Sequence, residues 1–278
     1  MTLSEAIQVH RIRLVVALLL LAGLFSSIVP GMVMQWYEDN NYSHGFLIPL
    51  IAGYFVYRQL DELKNSPVKP SNFGLVVILL AGCQVTLAFL GTEYFTLRTS
   101  IVTFLAGMVL YLFGSHVFKS VRMPIFYLLF MVPLPYIVYN AFAFPLQLFV
   151  SRISVWFLQF IRITVVRDGN IIMFPASTLQ VADACSGMRS MISLLAISTA
   201  YAFYLRITAM KRTFVIISAI PIAIFSNAVR VIVTGILAQY WGAAAAEGFF
   251  HECAGITVFL CAFASLLLVG ATLSKEKP

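Results

Sequence analysis

The fold depends on one short polar stretch, Val181-Ala182-Asp183-Ala184-Cys185-Ser186-Gly187-Met188-Arg189-Ser190, which interrupts an otherwise apolar chain. An apolar run at 191–205 follows it directly and predicts a membrane helix. Cys185 is therefore expected where a loop enters that helix, and a helix N-terminus carries partial positive charge and free N–H groups. Both favour the thiolate over the thiol, and the thiolate is the nucleophilic form. The stretch predicts that Cys185 is a catalytic nucleophile.

The composition indicates an all-α polytopic membrane protein. Of the 278 residues, 61% are hydrophobic and 10% are charged, whereas soluble domains have about 25% charged residues. No polar segment is long enough to fold separately, so one membrane-embedded domain over 1–278 is predicted. The first apolar run, 14–33, is too long for a signal peptide and is expected to remain as a membrane helix. The basic residues are scattered in short loops, which argues against nucleic-acid binding.

Apolar runs predict about eight membrane spans, although the second and fifth are shorter than the roughly 20 residues that a bilayer requires and contain Pro49 and Pro124, so they are expected to be bent or incomplete. The predicted spans are 14–34, 45–57, 73–91, 97–113, 121–132, 187–205, 214–237 and 253–273. Between the fifth and sixth spans, 136–166 is rich in aromatic residues and carries Arg152 and Arg162, so it is expected to make no net crossing, as an interfacial amphipathic helix or a re-entrant pair. The next segment, 165–181, predicts a small extracytoplasmic hairpin that turns at Asp168-Gly169 or Gly169-Asn170.

The charge distribution predicts the orientation of these spans. With a cytoplasmic N-terminus, twelve of the eighteen basic residues fall in inside segments. The outside loops are then acidic or neutral. We therefore expect both termini in the cytoplasm, and the hairpin and Cys185 on the opposite side of the membrane.

Two further polar residues are predicted at the same depth as Cys185. Arg230 interrupts the seventh span in its outer half, and His251 lies at the outer mouth of the eighth. The three residue types together suggest acyl transfer. Cys185 would attack a carbonyl, His251 would exchange protons with the thiol and the leaving amine, and Arg230 would stabilise the oxyanion.

Each of the three residues also has a structural interpretation. A single cysteine in a membrane protein is usually structural, and Cys185 could form a disulfide with Cys253. An arginine in a span often pairs helices, and a histidine at a helix mouth is often an interfacial anchor. No His and Cys residues have zinc-ligand spacing, so neither a metal nor a cofactor is expected.

Several motifs in order along the chain resemble the exosortase/archaeosortase family. They are Tyr42-Ser43-His44-Gly45-Phe46-Leu47-Ile48-Pro49, Phe130-Met131-Val132-Pro133-Leu134-Pro135, Ala184-Cys185-Ser186-Gly187-Met188-Arg189-Ser190, Asn227-Ala228-Val229-Arg230 and the late His251. The resemblance extends from about Trp36 to the last span. It implies a multi-pass cysteine transpeptidase of the bacterial inner membrane, with Cys185, Arg230 and His251 as its catalytic residues.

The resemblance also implies the substrates. They would be exported proteins with a C-terminal sorting signal, which consists of a Pro-Glu-Pro-type motif, a transmembrane helix and a basic tail. The family is associated with exopolysaccharide production. The acceptor could be water, or an amine on a lipid or glycan.

Three other residues are candidates for substrate binding. Arg189 follows Cys185 by one helical turn and could lower its thiol pKa or bind the substrate glutamate; it could instead pack against Asp183. Asn227 could orient Arg230 or pair helices. His44 either shapes the site or caps the second span.

Two non-enzymatic functions remain open on the sequence alone. The chain could be a transporter or export subunit for exopolysaccharide, with Arg230 in a solute path, or a non-catalytic assembly scaffold. A transporter predicts that Cys185→Ala retains most activity, whereas an enzyme predicts near-complete loss.

Overall fold

Helices make up most of the protein in a computed structural model that describes residues 2–9, 11–175, 178–181, 187–205, 207–242 and 249–275. The helices are α1 (Leu3–Val9), α2 (Arg11–Leu24), α3 (Ile28–Glu38), α4 (Leu47–Arg58), α5 (Leu60–Lys64), α6 (Phe73–Leu90), α7 (Tyr94–Tyr127), α8 (Tyr136–Phe160), α9 (Met188–Tyr204), α10 (Ala209–Trp241) and α11 (Phe249–Lys275). There are also two short 3-10 helices: Asn40–Phe46 directly precedes α4, and Leu128–Met131 directly follows α7. Three short strands follow α8: β1 (Val166–Asp168), β2 (Ile171–Met173) and β3 (Thr178–Gln180).

Most predicted spans coincide with a helix. The predicted span 73–91 corresponds to α6, 187–205 to α9, and 214–237 and 253–273 fall inside α10 and α11. The first predicted span, 14–34, is instead divided between α2 and α3. At the break the Ser26 hydroxyl donates to the Gly23 carbonyl at 2.8 Å, a local bond of the kind that competes with the helical pattern.

The protein is a multi-pass membrane protein. Among the described residues, five helices have the length and composition to cross a membrane, and the bent pair at the N-terminus would make six. One of the five is α8, a continuous helix of 25 residues. It covers most of the segment for which we expected an interfacial helix or a re-entrant pair, and its continuity excludes the pair. A length of about 37 Å, at 1.5 Å per residue, is enough to cross the hydrocarbon core.

The chain divides into two compact units, and the first is Met1–Pro135. The most extensive helix–helix contact in this unit is between α6 and α7, whose backbones approach closely at small residues. A Cβ atom on Gly74 would lie 2.2 Å from the Tyr111 nitrogen, and one on Gly107 would lie 3.2 Å from the Gly74 oxygen. Lipid tails are as apolar as the helices, so this close packing, rather than the hydrophobic effect, holds the pair together.

A break at Gly114 divides α7 into two parts. Gly114 has φ +86°, outside the helical region, and a Cβ atom there would lie 1.8 Å from the Lys69 oxygen. The Lys69 amide donates to the Phe113 carbonyl at 3.3 Å, so the linker before α6 packs against the backbone of α7 at the break. The predicted spans 97–113 and 121–132 begin on opposite sides of this break, but Tyr94–Met131 is one of the five candidates to cross a membrane, so eight separate spans stay a prediction.

The second unit, Tyr136–Pro278, contains the strands and the last four helices. The strands form an antiparallel sheet in the order β1-β2-β3. Gly169-Asn170 is the two-residue turn between β1 and β2, and Gly169 has φ +59°. A glycine with positive φ at the first turn position is typical of a type II′ turn. The turn lies in the segment for which a hairpin is predicted; its extracytoplasmic location stays a prediction.

Helix α10 is the centre of the second unit. Toward its C-terminal end it packs against α8 and the sheet, in a core that includes Leu158, Ile172 and Val231. Toward its N-terminal end it packs against α9 and α11, in a core that includes Leu194 and Leu266. Residues 227–231 lie where the first of these cores meets the N-terminus of α9, and this placement determines the surroundings of Arg230.

Candidate active site

Arg230 lines a small cavity between three helices of the second unit. The other polar residues that line it are Ser190 in the first turn of α9, and Ser226 and Asn227 on α10. Gly255 of α11 closes the cavity, and a Cβ atom on Gly255 would lie 3.1 Å from an Arg230 terminal nitrogen. The absence of a side chain at Gly255 therefore allows α11 to approach the guanidinium directly.

A second cavity adjoins Arg230 on the side of the sheet. It is lined by Gln180 at the end of β3, by Val181, and by Arg230 and Thr234 of α10. Val181 precedes the segment 182–186, and Ser190 follows it by four positions. Both flanks of the segment that carries Cys185 therefore border Arg230.

Gly187, directly after this segment, is fixed against Asn227. It has φ +78°, which L side chains rarely adopt, and it is the N-cap residue of α9. A Cβ atom on Gly187 would lie 2.8 Å from Cγ of Asn227, which is itself buried. Asn227 lies one helical turn before Arg230, so the start of α9 contacts the face of α10 that bears the arginine.

Cys185 and His251 are placed only through their neighbours. Cys185 lies outside the described residues, as does Asp183. His251 lies in the first turn of α11, where the structure describes the backbone but not the side chain. Position 251 is one helical turn before Gly255, the residue that contacts Arg230. Described residues close in the chain to Cys185 and to His251 therefore lie beside the guanidinium of Arg230.

A comparison with known protein families identifies the family of this chain. The family model described as transmembrane exosortase (Exosortase_EpsH) matches residues 36–268. The chain belongs to the transmembrane exosortase family. No curated protein and no solved structure matches it. Membership supports, in general terms, a transpeptidase or sorting role at the membrane, with membrane-associated substrates that carry sorting signals.

The candidate substrate-binding residues of this exosortase lie in both units. In the second, Arg189 is half-buried in the first turn of α9, and Asn227 contacts Gly187. Cys253, the alternative disulfide partner of Cys185, is a free thiol in α11. The disulfide therefore has no support from the described part of the chain.

His44 belongs to the first unit and contacts the backbone that follows α7. Burial lowers the pKa of His44, and hydrogen bonds to the backbone of Phe130 and Asn41 partly offset that effect. Two neighbours make similar contacts: Trp36 Nε1 donates to the Met131 carbonyl at 2.8 Å, and the Tyr42 hydroxyl donates to the Leu134 carbonyl at 3.3 Å. The donors to Phe130 and Met131 satisfy carbonyls that the end of the 3-10 helix leaves unpaired, and Tyr42 satisfies a carbonyl in the loop that follows it. The contacts give His44 a structural role, and its role in substrate binding stays a prediction.

Among the residues that border Arg230, sequence reasoning gave no role to Gln180, Ser190 and Gly255. A glycine one turn after a candidate histidine is a usable signal, because it permits close approach to a neighbouring helix. The other two carry no comparable signal. A serine in a helix and a glutamine at the end of a strand are common, and only the tertiary structure places them beside an arginine.

Gly187→Ala is expected to lower the activity of this exosortase about tenfold or more, because the added methyl group displaces either Asn227 or the start of α9. Left-handed backbone also costs a non-glycine residue about 1–2 kcal/mol. The control is Gly242→Ala, since Gly242 also has positive φ but open space around its Cβ position; its ψ of 175°, against −7° at Gly187, makes the backbone cost of the control at least as large. The rate of substrate processing and the temperature of thermal unfolding are measured for both variants. Equal activity in the two would show that the contact with Asn227 is irrelevant to function.

Proposed function

We propose that this exosortase is a membrane-embedded cysteine protease and transpeptidase that cleaves the C-terminal sorting signal of exported proteins. The observation that supports the proposal is the convergence around Arg230. Residues on both sides of the Cys185 segment border the guanidinium, and Gly255, one turn after His251, contacts it. Such an arrangement suits a reaction that needs a nucleophile, a base and a fixed positive charge within reach of one peptide bond.

The proposed reaction has two steps. In the first, the Cys185 thiolate attacks the carbonyl carbon of the scissile peptide, and the negative charge on its oxygen is stabilised by the Arg230 guanidinium. The C–N bond then breaks, the leaving amine takes a proton from His251, and the exported protein remains as a thioester. In the second step, water or an amine gives its proton to the now neutral His251 and attacks the thioester, which releases the Cys185 thiolate and restores the protonated His251.

The proposed substrate has a Pro-Glu-Pro-type motif, a transmembrane helix and a basic tail. A cleavage motif just outside a transmembrane helix would be presented near the predicted depth of Cys185. Proline favours an extended conformation and has no N–H group, so such a motif can be ordered at small entropic cost. Arg189 is the proposed partner for the substrate glutamate.

The proposed location is the bacterial inner membrane, with both termini in the cytoplasm and the active site on the periplasmic side. Twelve basic residues fall in segments that this orientation places inside, which supports it. The association with exopolysaccharide production is proposed on the family resemblance alone.

Co-expression with a tailed reporter tests the proposed function. The reporter carries the Pro-Glu-Pro-type motif, the transmembrane helix and the basic tail, and its control has the motif replaced by alanines. We expect mass spectrometry to find a new C-terminus only on the reporter with the intact motif. A free carboxylate there indicates water as the acceptor, and an added mass in amide linkage indicates an amine. A full-length reporter beside correctly inserted exosortase would contradict the proposal, and so would equal cleavage of both reporters.

A further inference from the structure

Asn170, the second residue of the β1–β2 turn, is bonded to Val181 through its backbone. The Val181 amide donates to the Asn170 carbonyl at 2.9 Å, which extends the β2–β3 pairing by one residue pair. Val181 is fully buried, in the core that joins the sheet to α8 and α10. Val181 is the last described residue before the segment 182–186.

The side chain of Asn170 adds a second bond to the same residue. Its Nδ2 donates to the Val181 carbonyl at 3.1 Å, and the same nitrogen lies 3.4 Å from Oε1 of Gln147. Gln147 is buried on α8, with 5% of its surface exposed. Asn170 therefore connects a buried helix residue to both the N–H and the C=O of Val181.

These contacts define one of two anchors around the segment that carries Cys185. Asn170 and Val181 hold the end that comes before it, and Gly187 against Asn227 holds the end that comes after it. Both anchors border Arg230 or its helix. Only five positions, 182–186, separate the two anchors in the sequence, so we expect a displacement of either anchor to displace Cys185.

We propose that Asn170 is a positioning residue that acts through Val181 to hold Cys185 in register with Arg230. Asn170 does not touch the substrate; it determines where the Cys185 segment begins. The assignment of the reaction rests on the function proposed above. The positioning role itself predicts a change in the thiol that can be measured without any substrate.

Asn170→Asp is the most direct test, because it keeps the shape of the side chain but replaces the Nδ2 donor with an oxygen. That oxygen would face the Val181 carbonyl and Oε1 of Gln147, both of which are acceptors. The matched control is Asp168→Asn, the reverse exchange at an exposed position of β1. We expect Asn170→Asp to lower kcat about tenfold or more, since misplacement by about 1 Å can cost 10²-fold. KM is expected to stay within about twofold, because the contacts to substrate are intact.

The second readout is the alkylation of Cys185 in a chain whose Cys83, Cys253 and Cys261 are replaced by alanine. We expect Asn170→Asp to shift the pH midpoint of alkylation, because the thiol leaves the neighbourhood of Arg230 and the N-terminus of α9. Asp168→Asn is expected to leave both the midpoint and kcat unchanged. A merely structural role for Asn170 would lower the unfolding temperature without a shift in this midpoint.

The outcomes separate this inference from the proposed function. An unchanged kcat and an unchanged alkylation midpoint in Asn170→Asp would overturn the inference, even if the parent chain cleaves its reporter. If the parent chain cleaves nothing, the proposed function fails, and the alkylation midpoint still tests the position of the thiol.

If Asn170→Asp does not accumulate, Gln147→Met is the second variant. It removes the acceptor that orients Asn170, and a midpoint unchanged there would overturn the inference.

Discussion

Replacing Cys185 with serine is expected to reduce reporter cleavage to background, a loss on the order of 10³-fold or more. A serine hydroxyl has a much higher pKa than a thiol, so the helix N-terminus and Arg230 cannot keep it ionised at neutral pH. The protein should still insert in the membrane, because the two side chains are nearly the same size. Cleavage rates with the tailed reporter, normalised to the amount of inserted protein, measure the effect.

The matched control is Cys253→Ser, the same exchange at the free thiol in the first turns of α11. It is expected to retain most of the activity. Loss in both variants would favour a disulfide between the two cysteines, and retention of activity in Cys185→Ser would favour a transporter or a scaffold over an enzyme.

Arg230→Lys is expected to lower kcat by on the order of 10²–10³-fold, although the positive charge is retained. The guanidinium is a planar fork with five donors, and it lies between two cavities, one beside Gly255 and one beside Gln180. A lysine ammonium has a different reach and cannot present two parallel donors to one oxyanion. The effect should fall on kcat more than on KM, because the oxyanion forms only during the reaction.

Arg212→Lys is the control for this prediction, because Arg212 lies on the same helix, near its other end. Its guanidinium carbon lies 4.4 Å from the centre of the Phe203 ring, away from both cavities. Activity should be unchanged in this variant. A loss in Arg230→Lys that is confined to KM would instead indicate that the arginine binds the ground state of the substrate.

The sequence predicted the helices of the second unit well, because long apolar runs are a strong signal. The predicted span 187–205 differs from α9 by one residue at each end, and 214–237 falls inside α10. The continuity of α8 was not predicted, since Arg152 and Arg162 suggested a segment at the membrane surface. Arg152 is exposed on α8, and Arg162 lies beyond its end.

The sequence predicts the candidate site as a set of residue types but not as an arrangement. Arg230 was selected because a charged residue is costly in a membrane and rarely occurs there without a function, whereas Cys185 and His251 were selected for their positions at the entrances of helices. The contacts that organise their surroundings are tertiary. Gly187 fits against Asn227, Gly255 fits against Arg230, and neither pairing can be inferred from spacing along the chain.

The central claim is that Cys185 forms a covalent bond with the substrate beside Arg230, and peptide mapping of acid-quenched exosortase tests it most directly. During turnover of the tailed reporter, the account predicts a thioester between Cys185 and the new C-terminus of the reporter. This adduct should be released by hydroxylamine and absent with the alanine-substituted reporter. Continued cleavage by Cys185→Ala, with no adduct on any cysteine of the parent chain, would contradict the account.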